Sequence, residues 1–556
     1  MKTIFKRSLC LGLILLFLVP SIVACKKDQK GDGESESVSD VVETDAAEKD
    51  TLDTDTEADT ESDAITDTEV DTEADTEEES VKDVDEDTEE ETEKETEEET
   101  ENKYDVYDDL GDIDLDGREI NIASSNHPWL GDEIAVDRFS GEVVSDAIYK
   151  RNMMVEARLN AKLNNILLSD NLYDPGNDVI MSINGGTHMY DLVLAATYTS
   201  IIRTAEGAWR DLTNYDSLDL SKPYWNQLFN EQMSIGGSQY MATGAISLSY
   251  YRMTYVTLVN DNLLNSHPGA PDLFSVVDDN KWTIEYQKNL AKDYYHDATG
   301  NGKDSGDTFG FVTQLFNGSY PYLSSCEINM MSKGPDGYYQ LALDTNKLHN
   351  VVDQLLELFS AESTYTTMAM SNWDEVEKIF SEGRALMINT MLRSIESHDL
   401  VNMQDGYSIL PVAKYSEDQD TYYSFVHDSF TAMAIPASAP EWDCDVFASV
   451  MEALASESYR TVTPAYYEVA LKRYANNLES IEMLDMITQN VYVDPAMAYI
   501  QRTNQFFVKI RDIVKSDGIN GTGNTVSSTY SGEYMETIRK DIARLNAAIK
   551  DYQAVS

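Results

Sequence analysis

The sequence predicts an α/β fold divided into two lobes, and three observations predict it. From about residue 117 onward, short β-rich runs alternate with amphipathic helical stretches, the pattern of sheets covered by helices. The chain after residue 103 is 453 residues long, beyond the ~250–300 residues at which a single hydrophobic core stops growing. The residues before it differ in kind. Positions 28–103 hold 36 acids and 5 lysines, roughly half of the formal net charge of −59 in about a seventh of the chain. Acidity on this scale repels phosphate, so no nucleic-acid partner is expected.

In chain order, the first element is an address. Lys2, Lys6 and Arg7 precede an apolar run from Leu9 to Val19, too short for the ~20 residues of a membrane-spanning helix and suited to a secretion signal over 1–24. Ile22-Val23-Ala24-Cys25 resembles the bacterial lipobox. The resemblance implies cleavage before Cys25 and a diacylglycerol on its sulfur, placing the protein on the outer face of the cell membrane; the alternative is an ordinary signal in which Cys25 is incidental. Residues 25–103 follow, and from about Glu43 to Thr100 they cycle through Asp-Thr-Glu units with few apolar residues. Such a tract cannot offset the entropy of ordering, and its like charges extend it. It reads as a disordered tether, with a calcium-binding or glycosylated stalk as the other possibility.

Within 104–556, residues 119–124 alternate as a strand after the turn-like Asp114-Leu115-Asp116-Gly117. Val144, Ile148, Val155 and Leu159 share one helical face. Strands are expected at 165–168, at the wholly apolar 192–195, at 253–259 and at 386–388; residues 409–412 are extended because Pro411 keeps its predecessor out of the helical region. Helices follow Val351, Val352, Leu355, Leu356 and Phe359, and again Val446, Val450, Ala453 and Leu454. Cys326 and Cys444 form no recognisable framework, so pairing stays open. No CxxC, HExxH or histidine cluster occurs, and neither a metal nor a cofactor is expected.

Several stretches resemble the extracellular solute-binding lipoproteins of bacterial ABC importers, family 1, which mostly bind sugars. They are 141–152, opening Gly141-Glu142-Val143; Lys222-Pro223-Tyr224-Trp225-Asn226; 380–386, ending Arg384-Ala385-Leu386; 406–415, around Leu410-Pro411-Val412; and 452–472, opening Glu452-Ala453-Leu454. The resemblance covers about residues 117 to 490. It implies a periplasmic-binding-protein-like fold, with the ligand in a cleft between lobes of about 104–258 with 409–490 and 259–408 with 491–556. The chain would cross between them near Leu258, Leu410 and Val491. It also implies a monomer that hands an unaltered carbohydrate to a permease, and no enzymatic step.

In α/β sheets ligands bind beyond the carboxyl ends of strands, and a sugar needs aromatic platforms together with planar polar groups. Asn126 and Trp129 follow the first strand, Tyr198 the buried third, and Arg393 the run 386–388. Ser249 and Tyr250 precede the first crossing; Asn317, His427 and Asp428 lie in predicted loops. Each has a plain packing or salt-bridge alternative, while Trp225 and Trp282 read as packing residues. Residues 297–307 resemble a calcium loop, with Asp297, Thr299 and Asn301 at its first, third and fifth positions and Thr308 where the closing acid should stand. A polar loop is the better reading. The competing functions are a surface glycan-active enzyme, for which 64 acids in the folded part give no discriminating signal, and an adhesin or sensory binding protein.

Overall fold

The computed structural model describes residues 102–555 apart from 131–132, 135, 173–174, 368–372, 473–478 and 521–524. The expected secretion signal, Cys25 and nearly all of the tract expected to be an acidic tether lie outside the described residues. Two mixed sheets carry the fold. The strands in chain order are β1 (Arg118–Ser124), β2 (Ala161–Leu167), β3 (Leu192–Ala196), β4 (Tyr255–Asn260), β5 (Phe309–Gln314), β6 (Met331–Lys333), β7 (Tyr339–Leu341), β8 (Thr364–Thr367), β9 (Ala385–Met391), β10 (Tyr407–Leu410) and β11 (Thr431–Ala434). The first lobe is built on the sheet β11-β3-β1-β2 and the second on β10-β4-β9-β5-β8; β6 and β7 form a separate hairpin. β1 runs parallel to β2 and β3, and β5 parallel to β8 and β9. β11, β4 and β10 add antiparallel pairings.

The period-two alternation of the first sheet sorts its side chains cleanly. Ile120, Ile122, Leu192, Leu194 and Met433 face one hydrophobic cluster, together with Phe447, Val450 and Leu454 of the helix Cys444–Lys472. Ala123, Val193, Ala195, Ala432 and Ala434 face the other, which continues through the second sheet. The helix Val143–Leu159 packs along Cys444–Lys472 and buries Ile148, Val155 and Leu159. β2 starts at Ala161, four residues before the sequence suggests. Asn160 takes the left-handed conformation (φ 46°) that ends the helix, a conformation asparagine tolerates. Its carbonyl accepts Gly117 N–H at 2.8 Å, which sets Arg118 opposite Ala161.

Three chain segments lie side by side between the lobes. Thr254 bridges Val426 and Ser424 bridges Val491. Tyr255 N donates to Phe425 O at 2.9 Å, His427 N to Met253 O at 3.0 Å, and Tyr492 N to Ser424 O at 2.9 Å. Leu258 lies within β4 and Leu410 ends β10, both in the second sheet. The carboxyl-terminal region adds ties of its own. The helix Val508–Asn520 packs on Thr345–Ser360, while Gly532–Gln553 packs on β7 and on the 3-10 segment Ile201–Glu206. Cys326 and Cys444 are buried free thiols. Trp225 and Trp282 are 1% and 0% exposed, as packing residues should be.

Candidate functional site

The loop after β1 meets the loop after β9, and the end of β3 meets the lead-in to β11. After β1, Asn126 donates its carboxamide to Asp170, and His127 Nδ1 accepts the Trp129 N–H at 3.2 Å. The His127 ring stands edge-on to the Trp129 indole, centroids 5.2 Å apart. Past β9, whose seven residues are all buried, the chain turns into the 3-10 segment Leu392–Glu396. The Arg393 guanidinium carbon there lies 3.8 Å from the centre of the Trp129 ring. This cation–π contact joins a side chain of the first lobe to one of the second. A partly desolvated pair of this kind is worth on the order of 1–2 kcal/mol.

The ends of β3 and β11 are stitched to each other. Tyr198 N donates to Asp428 O at 3.0 Å, Thr197 Oγ1 to the same oxygen at 2.8 Å, and Thr197 N to Phe430 O at 2.9 Å. Gln501 Nε2, from the carboxyl-terminal region, donates to Tyr198 O at 3.3 Å. His427 Nδ1 lies 2.9 Å from Ser429 Oγ and 3.1 Å from Asp428 Oδ1. That carboxylate oxygen nevertheless has no hydrogen bond of good geometry among the described residues. Burial raises the Asp428 pKa, and the neighbouring His427 opposes the rise. Desolvation lowers that of Arg393, against the pull of Glu377 and Glu396. Burial, and after it the charge of Arg393, keep His127 below the usual histidine range. Burial, and after it Asp428, lift the Tyr198 phenol.

The remaining sequence candidates lie elsewhere or deeper. Asn317 is 7% exposed at the end of the β5 loop; its N–H donates to Gln314 Oε1 at 3.2 Å and its carbonyl accepts Tyr320 N–H at 3.0 Å. Tyr320 packs between Phe425 and Phe507. Ser249 is fully buried: its N–H donates to Glu133 Oε1 and its hydroxyl accepts Thr431 N–H at 3.0 Å, while Thr431 Oγ1 donates to Glu133 Oε2 at 2.7 Å. Burial raises the Glu133 pKa, and these bonds partly offset it. Tyr250 is 2% exposed, its hydroxyl taken by the Asn226 carboxamide, beside a separate cavity. The structure thus pairs Trp129 with Arg393, ties Tyr198 to Asp428 beside His427, and holds Ser249 and Tyr250 in buried contacts of their own. Gln501 and Glu133 carry no sequence signal: one lies in a stretch without a motif, and the other finds its partners more than 100 residues away.

In the loop 297–307 the carboxylates are turned onto their own backbone. Asp297 accepts the N–H groups of Gly300 at 2.6 Å and Gly302 at 3.0 Å, and Asp307 those of Ala298 and Asp304, each at 3.0 Å. Among the described residues no group of three or more His, Cys, Asp or Glu is placed to hold a metal ion. No helix among them is long and apolar enough to cross a membrane.

No family model and no curated protein matches the chain. Solved structures do. A cyclo/maltodextrin-binding protein complexed with maltotetraose aligns at 12% identity and a TM-score of 0.48, over 79% of this chain and 98% of its own. An ABC substrate-binding protein from Listeria monocytogenes in complex with cycloalternan aligns at 13% and 0.45, over 79% and 100%. A sugar transporter from Rhizobium etli in an open conformation aligns at 12% and 0.49, over 78% and 99%.

Proposed function

We propose that this protein is an extracellular substrate-binding lipoprotein that captures a neutral mono- or oligosaccharide between its two lobes and delivers it unaltered to the permease of an ABC importer. Cys25 carries the lipid on the outer face of the cell membrane, residues 25–103 are the spacer, and the folded part acts as a monomer. The observation that carries the reading is the Trp129–Arg393 contact across the ends of β1 and β9. The guanidinium lies against the indole that would stack on a sugar ring, so ligand entry exchanges one flat partner for another and frees five donors for hydroxyls. Asp428 Oδ1 offers a buried acceptor that lacks a well-aligned donor, and a ligand hydroxyl would supply one. Tyr198 and His427 line the same junction, with Asn126 and Asn317 at its edges.

Binding to the native state raises stability by mass action, so a thermal-shift screen of neutral mono- and oligosaccharides tests the reading. The expected result is a saturable rise in melting temperature with at least one sugar, lost in Trp129→Ala, with the sugar recovered intact. No shift across the screen would overturn it, and cleavage products would replace it with a glycan-active enzyme. Metabolic labelling with a fatty-acid analogue tests the anchor: the wild type is expected to take the label and Cys25→Ser to lack it.

A further inference from the structure

Lined by none of the residues of that junction, a cavity of about 360 Å³ lies elsewhere in the fold, within the ~300–1,000 Å³ typical of small-molecule sites. We propose that it is a second ligand site, which takes a neutral saccharide of one or two rings. The proposal stands on the cavity's own geometry and does not depend on the function proposed for the lobe junction.

Its walls are aromatic. Tyr104, Tyr224, Trp225, Tyr251, Tyr459 and Tyr467 all line it. Tyr104 meets Tyr459 at 5.2 Å and 64°, and Tyr467 at 6.3 Å and 61°; Tyr251 meets Tyr467 at 6.1 Å and 79°. These rings meet edge to face, and the Lys103 ammonium lies over Tyr104 at 5.0 Å and over Tyr467 at 5.7 Å, so a pyranose laying its C–H face on either ring would take the place of that cation. Tyr104, Tyr459 and Tyr467 are only half-buried, although phenols packed as core would be closed off. Among the described residues the Tyr104 and Tyr459 hydroxyls have no hydrogen-bond partner, which leaves donor–acceptor groups for sugar hydroxyls at the cavity wall.

The electrostatics select a neutral guest. Lys103 and Asp485, the charged residues of the lining, pair with each other and leave no net charge for an anion or a cation to meet. The remaining polar groups are the amides Asn226, Gln227 and Gln489 and the hydroxyls of Thr463 and Thr488. Thr488 already shares a hydrogen bond of 2.6 Å with Tyr467 OH. Asn226 and Gln227 already donate to Tyr250 OH and to backbone carbonyls, so a purely apolar guest would leave chiefly the Tyr104 and Tyr459 hydroxyls desolvated without partners; a saccharide satisfies both surfaces. Both lobes supply the walls. Tyr459 and Tyr467 come from the helix Cys444–Lys472, whose apolar face covers the first sheet, and Asp485 and Gln489 from the helix Glu479–Gln489, which packs on β10 of the second.

The test uses the full chain, with glucose, galactose, maltose, cellobiose and lactose as probes up to about 20 mM, the range of weak single-ring sites. In a Trp129→Ala/Arg393→Ala background, which disables the lobe junction, at least one probe is expected to bind saturably by saturation-transfer NMR. It should also protect Tyr104 and Tyr459 from nitration by tetranitromethane, mapped by mass spectrometry. Tyr104→Ala in that background is expected to weaken the binding about fivefold or more, with the sugar-free melting temperature unchanged. Nitration protection on the wild-type sequence provides the same readout should the variants fold poorly. No saturable binding of any probe, or binding that leaves Tyr104 and Tyr459 as reactive as before, overturns the proposal. Loss of binding at the lobe junction alone leaves the second site standing, so the two failures are distinguishable.

Discussion

Glu452 makes the stability of this protein depend on pH in a way that one substitution can isolate. Its side chain is 1% exposed on the helix Cys444–Lys472. One carboxylate oxygen accepts the Tyr224 phenol and the other the Trp225 indole N–H, the latter at 2.9 Å. Burial raises its pKa from 4.5 to about 7, and the two hydrogen bonds restrain that rise. A carboxyl whose native pKa lies above its unfolded one binds its proton more tightly when folded. Stability therefore falls as pH rises between about 4.5 and 7, and is level on either side. At 1.36 kcal/mol per unit the fall amounts to about 3 kcal/mol. Glu452→Gln abolishes the titration. It leaves one of the two donors facing an amide NH₂, a pH-independent loss of ~1–3 kcal/mol. Urea unfolding followed by circular dichroism at pH 4.5 and pH 8 measures both terms. Wild type is expected to be the more stable at pH 4.5, and the difference should close or reverse by pH 8. Asp494, whose pKa burial also raises to about 7, titrates in both proteins and cancels. A wild-type minus variant difference that stays constant to within about 1 kcal/mol across this range would refute the reasoning.

Other perturbations read other parts of the molecule. Arg393→Lys should not restore binding of a sugar lost in Arg393→Ala, because an ammonium offers neither the flat face nor the fork of the guanidinium; calorimetry should show a loss of about tenfold or more for both. Gly244→Ala should lower the melting temperature by several degrees. A Cβ there would stand 2.2 Å from Tyr224 O at a φ of +151°, and overpacking against backbone costs roughly 1–3 kcal/mol. Asp494→Ala should destabilise by about 1–2 kcal/mol in denaturant unfolding at pH 5, since its carboxyl group, protonated in the native state at that pH, accepts the N–H groups of Ala496 and Met330, both at 2.7 Å. Asp428→Asn should flatten the decline of stability with rising pH above about 4, because burial raises the native pKa of this acid; a slope equal to that of wild type would contradict it.

The strands that position the lobe junction are legible because each has one dominant local cause. β1 alternates, β3 is a continuous apolar run, β9 opens on one at residues 385–388, and a loop after such a strand must carry its side chains to the sheet end. That reasoning places Trp129, Tyr198 and Arg393, residues whose position follows from a strand ending. It does not reach Ser249 and Tyr250, whose location depends on how the short helix Leu248–Arg252 enters β4. Nearness in sequence to a crossing does not say which side of it a side chain takes. Here Ser249 closes the Glu133–Thr431 network and Tyr250 turns toward Asn226.

The tyrosine-lined cavity was invisible for a related reason. Its rings come from segments near residues 104, 224, 251, 459 and 467, and each segment satisfies a local rule that predicts packing. Trp225 precedes a helix and is buried as expected; Tyr459 and Tyr467 lie eight residues apart on one long helix, close to two turns and a little more, so they share a face. A sequence pattern records that a face is apolar but not whether the opposing wall arrives to fill it. Here that wall includes Lys103 and Tyr104 and the helix Glu479–Gln489. Lys103 and Asp485 pair with each other there, with side chains 46% and 30% exposed. Whether an aromatic face becomes core or platform is thus decided by the geometry of elements far apart in the chain.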